Sequence, residues 1–570
     1  MCGIAGIIGD FTEHQLDAML SGQHHRGPDA TGKYKDDNFA ALGHNRLAII
    51  DLSAKSNQPF VDNSSRYVIV FNGEIYNYIE LKKELQNQYV FKTESDTEVL
   101  LAAYIVYGKS CLEKLNGMFA FAIWDNNDKK LFAARDRFGV KPFCYSVKDQ
   151  IFYFSSEIKA LHAAGISKIP NDKVWASYFA YGSYGTPDET FWEGIAQLPG
   201  GHSLEYENQH LTIEKWYCFE DEVAKQPKNL TYNQAKKKYV ALLKDSIKLR
   251  FRSDVPVGFN ISGGLDSSVL LALVNNFNNN DKINAYTFYT NNPDYDELPW
   301  VVKMIAKTHN PLTKVLLQAD EVPDFAEKMA FQQDEPYGGI PTLAYAKIFE
   351  QARKDKVLVL LDGQGMDEQW AGYDYYTQEN DATIQGVQES PYKTNLLSQS
   401  FLAKAEKPIY PKPFEDEVLN KQYRDLFYTK IPRALRFNDR ISMMYSTELR
   451  EPFLDYRLVE LAFSLPLDFK IKEGVTKFML REIASEYLAD DLVFAPKRPL
   501  QTPQREWLAE DLKEWVSQCF AAIENSTFST WFNKEELRKE LQRYFEGNRQ
   551  SSFHIWQCIG VFEMLDTIEG

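Results

Sequence analysis

Short apolar runs alternate with longer amphipathic stretches through the second part of the chain. Four of these runs have the length and composition of buried strands, at 255–261, 283–290, 312–317 and 357–361. The spacing of apolar residues predicts helices around them, near 232–252, 267–277, 297–308, 320–332 and 342–354. Because strands that alternate with helices form a parallel sheet covered by helices, we expect an α/β domain here. Ligands of such sheets bind beyond the carboxyl ends of the strands.

The N-terminal part of the chain has a different pattern. Runs rich in Phe, Tyr and Ile, such as 130–134 and 151–154, alternate with polar residues and predict sheets. The chain turns polar between Glu220 and Leu230, and a helix-start pattern follows at Thr231. We therefore predict two domains, 1–220 and 231–570, since 570 residues are too many for one core.

Composition and charge exclude several classes of protein. The net charge is −16 and no basic block offsets it, which argues against a nucleic-acid partner. No apolar run approaches the length of a membrane span, and the first residues lack the basic start of a signal peptide. We therefore expect a cytoplasmic protein without a membrane partner. The six cysteines have no CxxC spacing, which argues against a disulfide framework or a zinc site.

A glycine–serine loop lies between the strand at 255–261 and the helix that follows it. We call residues 262–268 the glycine–serine loop; its sequence is Ser262-Gly263-Gly264-Leu265-Asp266-Ser267-Ser268. Glycines let backbone N–H groups turn toward an anion, and the helix N-terminus adds partial positive charge. The loop lacks the Gly-Lys-Ser/Thr of a P-loop, whereas Asp266 suits a Mg²⁺ ion that bridges phosphate oxygens. The alternative is a turn with a serine N-cap.

A second loop follows the strand at 357–361. We call residues 362–368 the aspartate loop; its sequence is Asp362-Gly363-Gln364-Gly365-Met366-Asp367-Glu368. If the two strands are neighbours, Asp266 and Asp367 approach the same Mg²⁺ from opposite loops. The alternative for Asp367 is a Gly/Asp turn.

Cys2 becomes the first residue once Met1 is removed. A terminal cysteine carries a thiol nucleophile and an α-amine that can act as its base. Arg46 lies in an apolar setting where its guanidinium suits a carboxylate. The amide of Asn72 and the N–H of Gly73 can form an oxyanion hole, and Asp96 can hold an ammonium group.

These four features together are the parts needed to hydrolyse an amino-acid amide. Each one alone has a structural alternative: a buried apolar Cys2, an Asn-Gly turn at 72–73, and a helix cap at Ser95-Asp96. Their order and spacing favour the functional interpretation.

The first domain resembles the class II glutamine amidotransferases. The similarity rests on Cys2-Gly3-Ile4 and on the segments 25–29, 72–77, 95–96, 117–122, 134–139 and 156–161. It implies an α+β N-terminal-nucleophile hydrolase sandwich with four αββα layers. It also implies that Cys2 attacks the glutamine amide and that Arg46 holds the glutamine carboxylate. By the same resemblance Asn72 and Gly73 stabilise the oxyanion, while Glu74 and Asp96 hold the amino group.

The glycine–serine loop resembles the pyrophosphate loop of N-type ATP pyrophosphatases, and the whole chain resembles glutamine-dependent asparagine synthetases. The second domain contributes the segments 334–336, 363–368, 440–443, 448–455 and 477–481. The resemblance implies that ATP is bound by the glycine–serine loop together with Asn260, Thr290, Asp362 and Gly363. Lys477 would stabilise charge on the adenylate or on the tetrahedral intermediate. From the residues alone, a solvated lysine is the favoured interpretation of Lys477.

Two positions depart from the family's usual residues. This chain has Gln364 where many asparagine synthetases have Glu, and Asp362 where they have Ser. The family's Glu is a candidate proton acceptor from ammonia, whereas Gln cannot accept a proton at neutral pH. Either another group accepts the proton or the acceptor is not aspartate.

The expected reaction makes asparagine, glutamate, AMP and pyrophosphate from aspartate, glutamine and ATP, with ammonia passing between two sites. One alternative amidates another carboxylate, such as a uronic acid of a surface polysaccharide. β-Lactam synthetases share the second domain but lack the nucleophile, so Cys2 argues against them. A non-catalytic sensor would be expected to lose Cys2, Asp266 or Asp367, and all three are present. The family resemblance also suggests a homodimer, and 497–503 is a candidate loop over the active site.

Overall fold

The computed structural model of the protein describes residues 1–36, 39–277, 283–378, 390–495, 502–549 and 551–569. Most of the predicted loop at 497–503 lies outside the described residues. Within those ranges, no helix is both long enough and apolar enough to cross a membrane.

The first domain contains two antiparallel sheets of six strands each. In spatial order, the first sheet comprises Ala196–Gln197, Cys144–Lys148, Ile151–Ser155, Gly3–Ile8, Ala40–Arg46 and Ala30–Asp36. The second sheet comprises His210–Lys215, His202–Glu207, Lys130–Arg135, Gly117–Asp125, Tyr67–Ile75 and Phe60–Val61. The predicted strands at 130–134 and 151–154 are therefore confirmed to within one residue.

Three buried clusters show how the sheets and helices are layered. Ile4 and Leu42 of the first sheet share one cluster with Val70 and Ala122 of the second, so the two sheets face each other. The outer face of the first sheet packs on helices Glu13–Gly22 and Ile158–Ala163, and that of the second packs on Tyr78–Leu85 and Asp96–Tyr107. The result is the predicted αββα sandwich.

The remaining helices of this part are Cys111–Lys114, Asp172–Tyr181 and Phe219–Lys225. The last of these lies in the polar stretch after Glu220, where the sequence analysis expected no helix. Its Phe219 and Val223 are buried against the second domain's core. This tertiary packing stabilises a helix that the short polar sequence does not predict. The predicted helix start at Thr231 is confirmed, because Thr231 and Gln234 form a capping box.

The second domain is built on a five-stranded parallel sheet. Its spatial order is Leu312–Leu316, Ala285–Tyr289, Val257–Asn260, Val359–Leu361 and Glu448–Arg450. Numbered along the chain, this order is 3-2-1-4-5, and its switch point lies between the first and fourth strands. Val257 pairs with Val359 and Phe259 with Leu361, so these two strands are neighbours, which is the condition for Asp266 and Asp367 to approach each other. The glycine–serine loop and the aspartate loop leave the sheet side by side at the switch point.

Helices cover this sheet on both faces. A small hairpin, Ile471–Lys472 with Val475–Thr476, precedes Lys477. The helices are Tyr232–Arg250, Leu265–Phe277, Leu298–Thr308, Val322–Gln333, Ile340–Lys354, Met366–Gln369, Gln399–Leu402, Glu417–Phe427, Lys430–Met444, Tyr456–Ser464, Leu467–Lys470, Phe478–Ala484, Asp490–Val493, Gln504–Ala509, Lys513–Asn525, Lys534–Phe545 and Phe553–Glu569.

Candidate functional site

Cys2 lies immediately before the central strand of the first sheet. Its backbone N–H donates to Asn72 Oδ1 at 3.0 Å, and its carbonyl accepts from Arg26 Nε at 3.0 Å. The thiol sulfur is 3.8 Å from the carbonyl oxygen of Leu47. Burial raises the pKa of the Cys2 thiol, so a neighbouring base is needed to make the thiolate at neutral pH. The structure therefore fixes the backbone of Cys2 from two sides.

Asn72 and Gly73 lie in the middle of the strand Tyr67–Ile75 and do not form a turn. A Cβ atom on Gly73 would lie 2.1 Å from the carbonyl oxygen of Met118, so only glycine fits there. The Asn72 Nδ2 amide is buried and has no hydrogen-bond partner among the described residues. A buried donor of this kind needs a ligand, and a developing oxyanion beside Cys2 is one that it suits.

Arg46 ends the strand Ala40–Arg46 and is held by four neutral acceptors. Its guanidinium donates to Asn57 Oδ1 at 2.8 Å and to the carbonyl oxygens of Ser53, Ile50 and Asp51. No described carboxylate pairs with it, so its positive charge is not neutralised within that part of the chain. A fixed, uncompensated guanidinium is suited to an anionic ligand.

Two acids lie at the end of the strand Tyr67–Ile75: Glu74 belongs to the strand, and Asp96 begins the helix Asp96–Tyr107. Asp96 accepts from the N–H of Ile75 at 2.9 Å, and Glu74 Oε2 is buried without a hydrogen-bond partner among the described residues. Burial raises the pKa of Asp96 to about 6. Burial, together with the charges of Glu448 and Asp96, raises the pKa of Glu74 well above its usual value. This is a carboxylate site that a cationic ligand would stabilise.

The glycine–serine loop is closed by its own hydroxyl groups. The N–H of Ser262 donates to Ser267 Oγ at 3.3 Å, and the N–H of Gly264 donates to Ser262 Oγ at 3.4 Å. Gly263 has a φ of +73°, a conformation that favours glycine, and the helix Leu265–Phe277 then begins. Ser268 Oγ is buried without a partner among the described residues. The loop is thus held by its own hydroxyl groups at a helix N-terminus, the kind of position at which anions bind.

Lys477 joins the glycine–serine loop to the aspartate loop. Its Nζ lies 2.7 and 2.6 Å from the two carboxylate oxygens of Asp266 and 2.7 Å from Asp367 Oδ1. Burial lowers the pKa of Lys477, but the charges of the two aspartates more than offset it, so the pKa is raised. A Cβ on Gly372 would lie 1.9 Å from Asp367 Oδ1, which shows how closely this cluster packs. Lys477 is buried, and the interpretation of it as a solvated lysine is wrong.

Asp266 and Asp367 converge on one cation position, which the Lys477 ammonium occupies. The described residues contain no group of three or more metal-binding side chains. Two carboxylates nevertheless fit Mg²⁺, which commonly takes its other ligands from substrate phosphates and water.

The remaining predicted nucleotide residues lie around the two loops. Asn260 Nδ2 is 3.4 Å from Asp362 Oδ1, and Tyr345 donates to Asp362 Oδ2 at 2.9 Å. Burial raises the pKa of Asp362. A Cβ on Gly363 would lie 3.2 Å from the backbone nitrogen of Ser267, so the loops touch. Thr290 lies at the end of the next strand, where its N–H donates to Asp296 at 2.7 Å.

Gln364 is half-buried in the aspartate loop. No described residue forms a hydrogen bond with its side chain. Its amide is therefore available to a ligand at the mouth of the switch point.

Two residues near Cys2 were not assigned a role by the sequence analysis. Glu448 and Arg450 come from the edge strand of the second domain's sheet and reach Glu74 of the first domain. The segment 448–455 marked only a family resemblance. The signal that points to Glu448 and Arg450 is an acid and a base, two positions apart, on a short buried strand.

A buried cysteine with an amide donor on an αββα sandwich, next to a parallel sheet with two loops at its switch point, is consistent with a glutamine amidotransferase that forms amides at the expense of ATP. The model of the glutamine amidotransferase domain matches residues 1–217, and that of asparagine synthase matches residues 238–567. The chain belongs to the asparagine synthase family.

Several relatives match nearly the whole chain. Asparagine synthetase [glutamine-hydrolyzing] 3 of Bacillus subtilis is 30% identical and covers 95% of this chain and 93% of its own length. Asparagine synthetase [glutamine-hydrolyzing] 1 of the same organism is 28% identical, with 98% and 95% covered. Amidase chry2 of Gibberella zeae is 26% identical, with 94% and 96% covered. Among solved structures, glutamine PRPP amidotransferase from B. subtilis matches 55% of this chain and 65% of its own chain, at 18% identity and a TM-score of 0.30.

Proposed function

We propose that the protein makes asparagine from aspartate, with glutamine as the nitrogen donor and ATP as the activating substrate. The ion-pair bridge from Lys477 to Asp266 and Asp367 carries this proposal, because it fixes both nucleotide loops around one charged position. The full-length similarity to two asparagine synthetases supports aspartate as the acceptor.

In the first half-reaction the Cys2 sulfur attacks the side-chain carbonyl carbon of glutamine. The C–N bond then breaks, ammonia leaves with a proton from the catalytic groups, and water hydrolyses the thioester to glutamate. Arg46 holds the glutamine carboxylate, Asn72 Nδ2 and the N–H of Gly73 stabilise the oxyanion, and Glu74 and Asp96 hold the ammonium group.

In the second half-reaction a β-carboxylate oxygen of aspartate attacks the α-phosphorus of ATP, and pyrophosphate leaves. Ammonia then attacks the acyl carbon of the β-aspartyl adenylate, AMP leaves with the electrons of the broken bond, and the nitrogen loses a proton. The glycine–serine loop binds the pyrophosphate, and Lys477 stabilises the charge that develops on the adenylate. Asp266 and Asp367 would hold Mg²⁺, which neutralises phosphate charge when bound.

A small cavity lies between the two domains, which ammonia made at Cys2 would have to cross to reach the second site. Tyr76, Met118 and Val140 line it from the first domain, and Glu451 and Leu454 from the second. Its space suits about one water-sized molecule, and ammonia has that size.

We also propose that the protein is cytoplasmic and that it forms a homodimer.

Product analysis tests the proposal directly. The purified protein is incubated with glutamine, ATP, Mg²⁺ and one acid at a time, and pyrophosphate, AMP and the amide are measured. We expect aspartate to be required and asparagine to accumulate in step with AMP. Pyrophosphate release that does not depend on aspartate would overturn the assignment of the acceptor.

Gln364 favours a second candidate, the amidation of a different carboxylate such as a uronic acid. Its neutral amide lies where the family commonly has a carboxylate. In addition, one relative that matches nearly the whole chain at 26% identity is named an amidase and not an asparagine synthetase. Uronic acids therefore belong among the acids tested.

A further inference from the structure

Three buried carboxylates near Cys2 interact through their charges, and one of them comes from the second domain. Glu74, Asp96 and Glu448 are each less than 5% exposed. The amino group of Met1 donates to Glu448 Oε2 at 3.0 Å, and both partners are fully buried. Arg450 pairs with Glu448 on one side, and its Nη2 lies 3.6 Å from Glu74 Oε1.

Two cations hold Glu448, namely Arg450 and the amino group of Met1. Burial raises the pKa of Glu448, but Arg450 and the amino terminus outweigh it and lower that pKa to about 2, so Glu448 is ionised. Removal of Met1, which the proposed nucleophile requires, moves the terminal ammonium one residue along the chain to Cys2 and vacates the position 3.0 Å from Glu448 Oε2. A buried carboxylate that loses a hydrogen-bonded cation is destabilised, so Glu448 suits another ammonium group at the vacated position.

The Met1 ammonium indicates which cation fits. It is a primary ammonium group on a tetrahedral carbon, so its contacts represent those available to the α-ammonium of an amino acid. Glu74 Oε2 is buried without a partner among the described residues, and Glu74 also feels the charge of the Met1 ammonium. An amino-acid ligand would therefore satisfy both Glu74 and Glu448.

We propose that Glu448 is a glutamine-binding residue, the third carboxylate around the substrate's α-ammonium group, and that Arg450 is the positioning residue that holds Glu448 and Glu74 apart. This inference rests on the proposed glutamine site of the first domain and adds to it a residue of the second. The glutamine site is complete only when the two domains are docked.

Backbone pairing ties Glu448 to the nucleotide site as well. Val359 pairs with Glu448 in the parallel sheet, and the N–H of Asp362 donates to the carbonyl of Arg450 at 3.0 Å. The same three-residue strand therefore contacts the ammonium position with its side chains and the aspartate loop with its backbone.

Glutamine binding to Cys2→Ala protein tests the inference, since this variant does not consume its ligand. Met1 removal is checked by intact mass, and the Kd is measured by calorimetry for glutamine and for 4-carbamoylbutanoate, which is glutamine without its α-amino group. In this background Glu448→Gln should weaken glutamine binding roughly tenfold or more, as expected for a charge-assisted hydrogen bond, and leave 4-carbamoylbutanoate within about twofold.

A matched control is Glu460→Gln. Glu460 is also a buried carboxylate of the second domain that contacts the first, through Tyr217 at 2.9 Å. The Glu460→Gln variant should keep the wild-type preference for glutamine over 4-carbamoylbutanoate. Glu448→Asp should recover part of the lost glutamine affinity.

The outcomes separate this inference from the proposed function. Equal losses for both ligands with Glu448→Gln, or no loss for either, overturn the inference. No binding of glutamine to the Cys2→Ala protein overturns both the inference and the proposed glutamine site. A selective loss for glutamine supports the inference even if aspartate proves not to be the acceptor.

Discussion

The two candidate sites use acids in opposite ways. Beside Cys2, Glu74 and Asp96 lie where burial and like charges raise their pKa values. At the switch point, Asp266 and Asp367 share the ammonium of Lys477, whose own pKa is raised by the pair. Glu74 and Asp96 are therefore only partly compensated and suit a cationic ligand, whereas the acids of the second site share a cation built into the protein.

This difference fits the charges of the two proposed substrates. Glutamine brings its own ammonium group, so its site can leave acids partly uncompensated until the substrate binds. ATP brings only negative charge, so its site must supply cations in advance. A change to the chemistry or the charge of one site can therefore be measured with the other site as the control.

Cys2→Ala should reduce glutamine-dependent amidation by roughly three orders of magnitude or more, because no other group can form the thioester. Amidation with added ammonium salt should stay within about twofold of the wild type. Steady-state assays with each nitrogen source measure both rates. Loss of both activities in a folded protein would contradict the separation of the two sites.

Lys477→Met should have the reverse effect. It removes the cation between Asp266 and Asp367, and we expect amidation with either nitrogen source to fall by roughly two to three orders of magnitude. Glutamine hydrolysis, measured as glutamate release, should persist. Lys539→Met is the matched control because Lys539 is a half-exposed lysine in surface ion pairs. If Lys477→Met reduced glutamate release as much as it reduced amidation, Lys477 would act on both sites.

Much of the second domain could be predicted from its sequence because a parallel sheet is buried on both faces. Apolar runs at 283–290 and 357–361 stood out for that reason, and the strands Ala285–Tyr289 and Val359–Leu361 lie within them. The approach of Asp266 to Asp367 was expected on the condition that their strands are neighbours, and the structure meets that condition.

Long-range pairings were not predictable in the same way. Met1 and Glu448 are 447 positions apart, and no local pattern signals their contact. The sequence also favoured a solvated Lys477, because only the packing of both loops around it shows that it is buried. The Asn-Gly pair at 72–73 is typical of turns, yet pairing with the strand Gly117–Asp125 holds it extended. In each case tertiary contacts outweighed the local pattern.

A change of pH should reveal the uncompensated acids of the first site. The pKa of Asp96 is about 6, and only its ionised form holds an ammonium group, so kcat/KM for glutamine should rise with pH up to about 6 and then level off. At pH 5 about a tenth of Asp96 is ionised, which predicts a roughly tenfold loss. Asp96 shares this environment with Glu74, Glu448 and Arg450.

Hydrolysis of 4-carbamoylbutanoate is the control for this pH profile. That amide has no ammonium group, so its kcat/KM should lack the inflection near pH 6. Asp96→Asn should lower the glutamine rate and remove the same inflection. An inflection that persists in Asp96→Asn would assign the titration to another group.

Gln364→Glu should have the smallest effect, and it tests how much negative charge the second site tolerates. The half-buried side chain lies in the same loop as Asp362 and Asp367, so an added carboxylate would repel the phosphates of ATP. We expect KM for ATP to rise roughly two- to fivefold, which corresponds to about 0.4–1 kcal/mol at a partly exposed site. The matched control is Gln364→Asn, which keeps the neutral amide and should leave KM for ATP nearly unchanged. Gln369→Glu would not serve, because Gln369 is buried. Glutamate release should be the same in Gln364→Glu and Gln364→Asn. If Gln364→Glu instead raises the amidation rate without changing KM for ATP, the added group acts as a proton acceptor, and the second site would be limited by proton removal more than by charge.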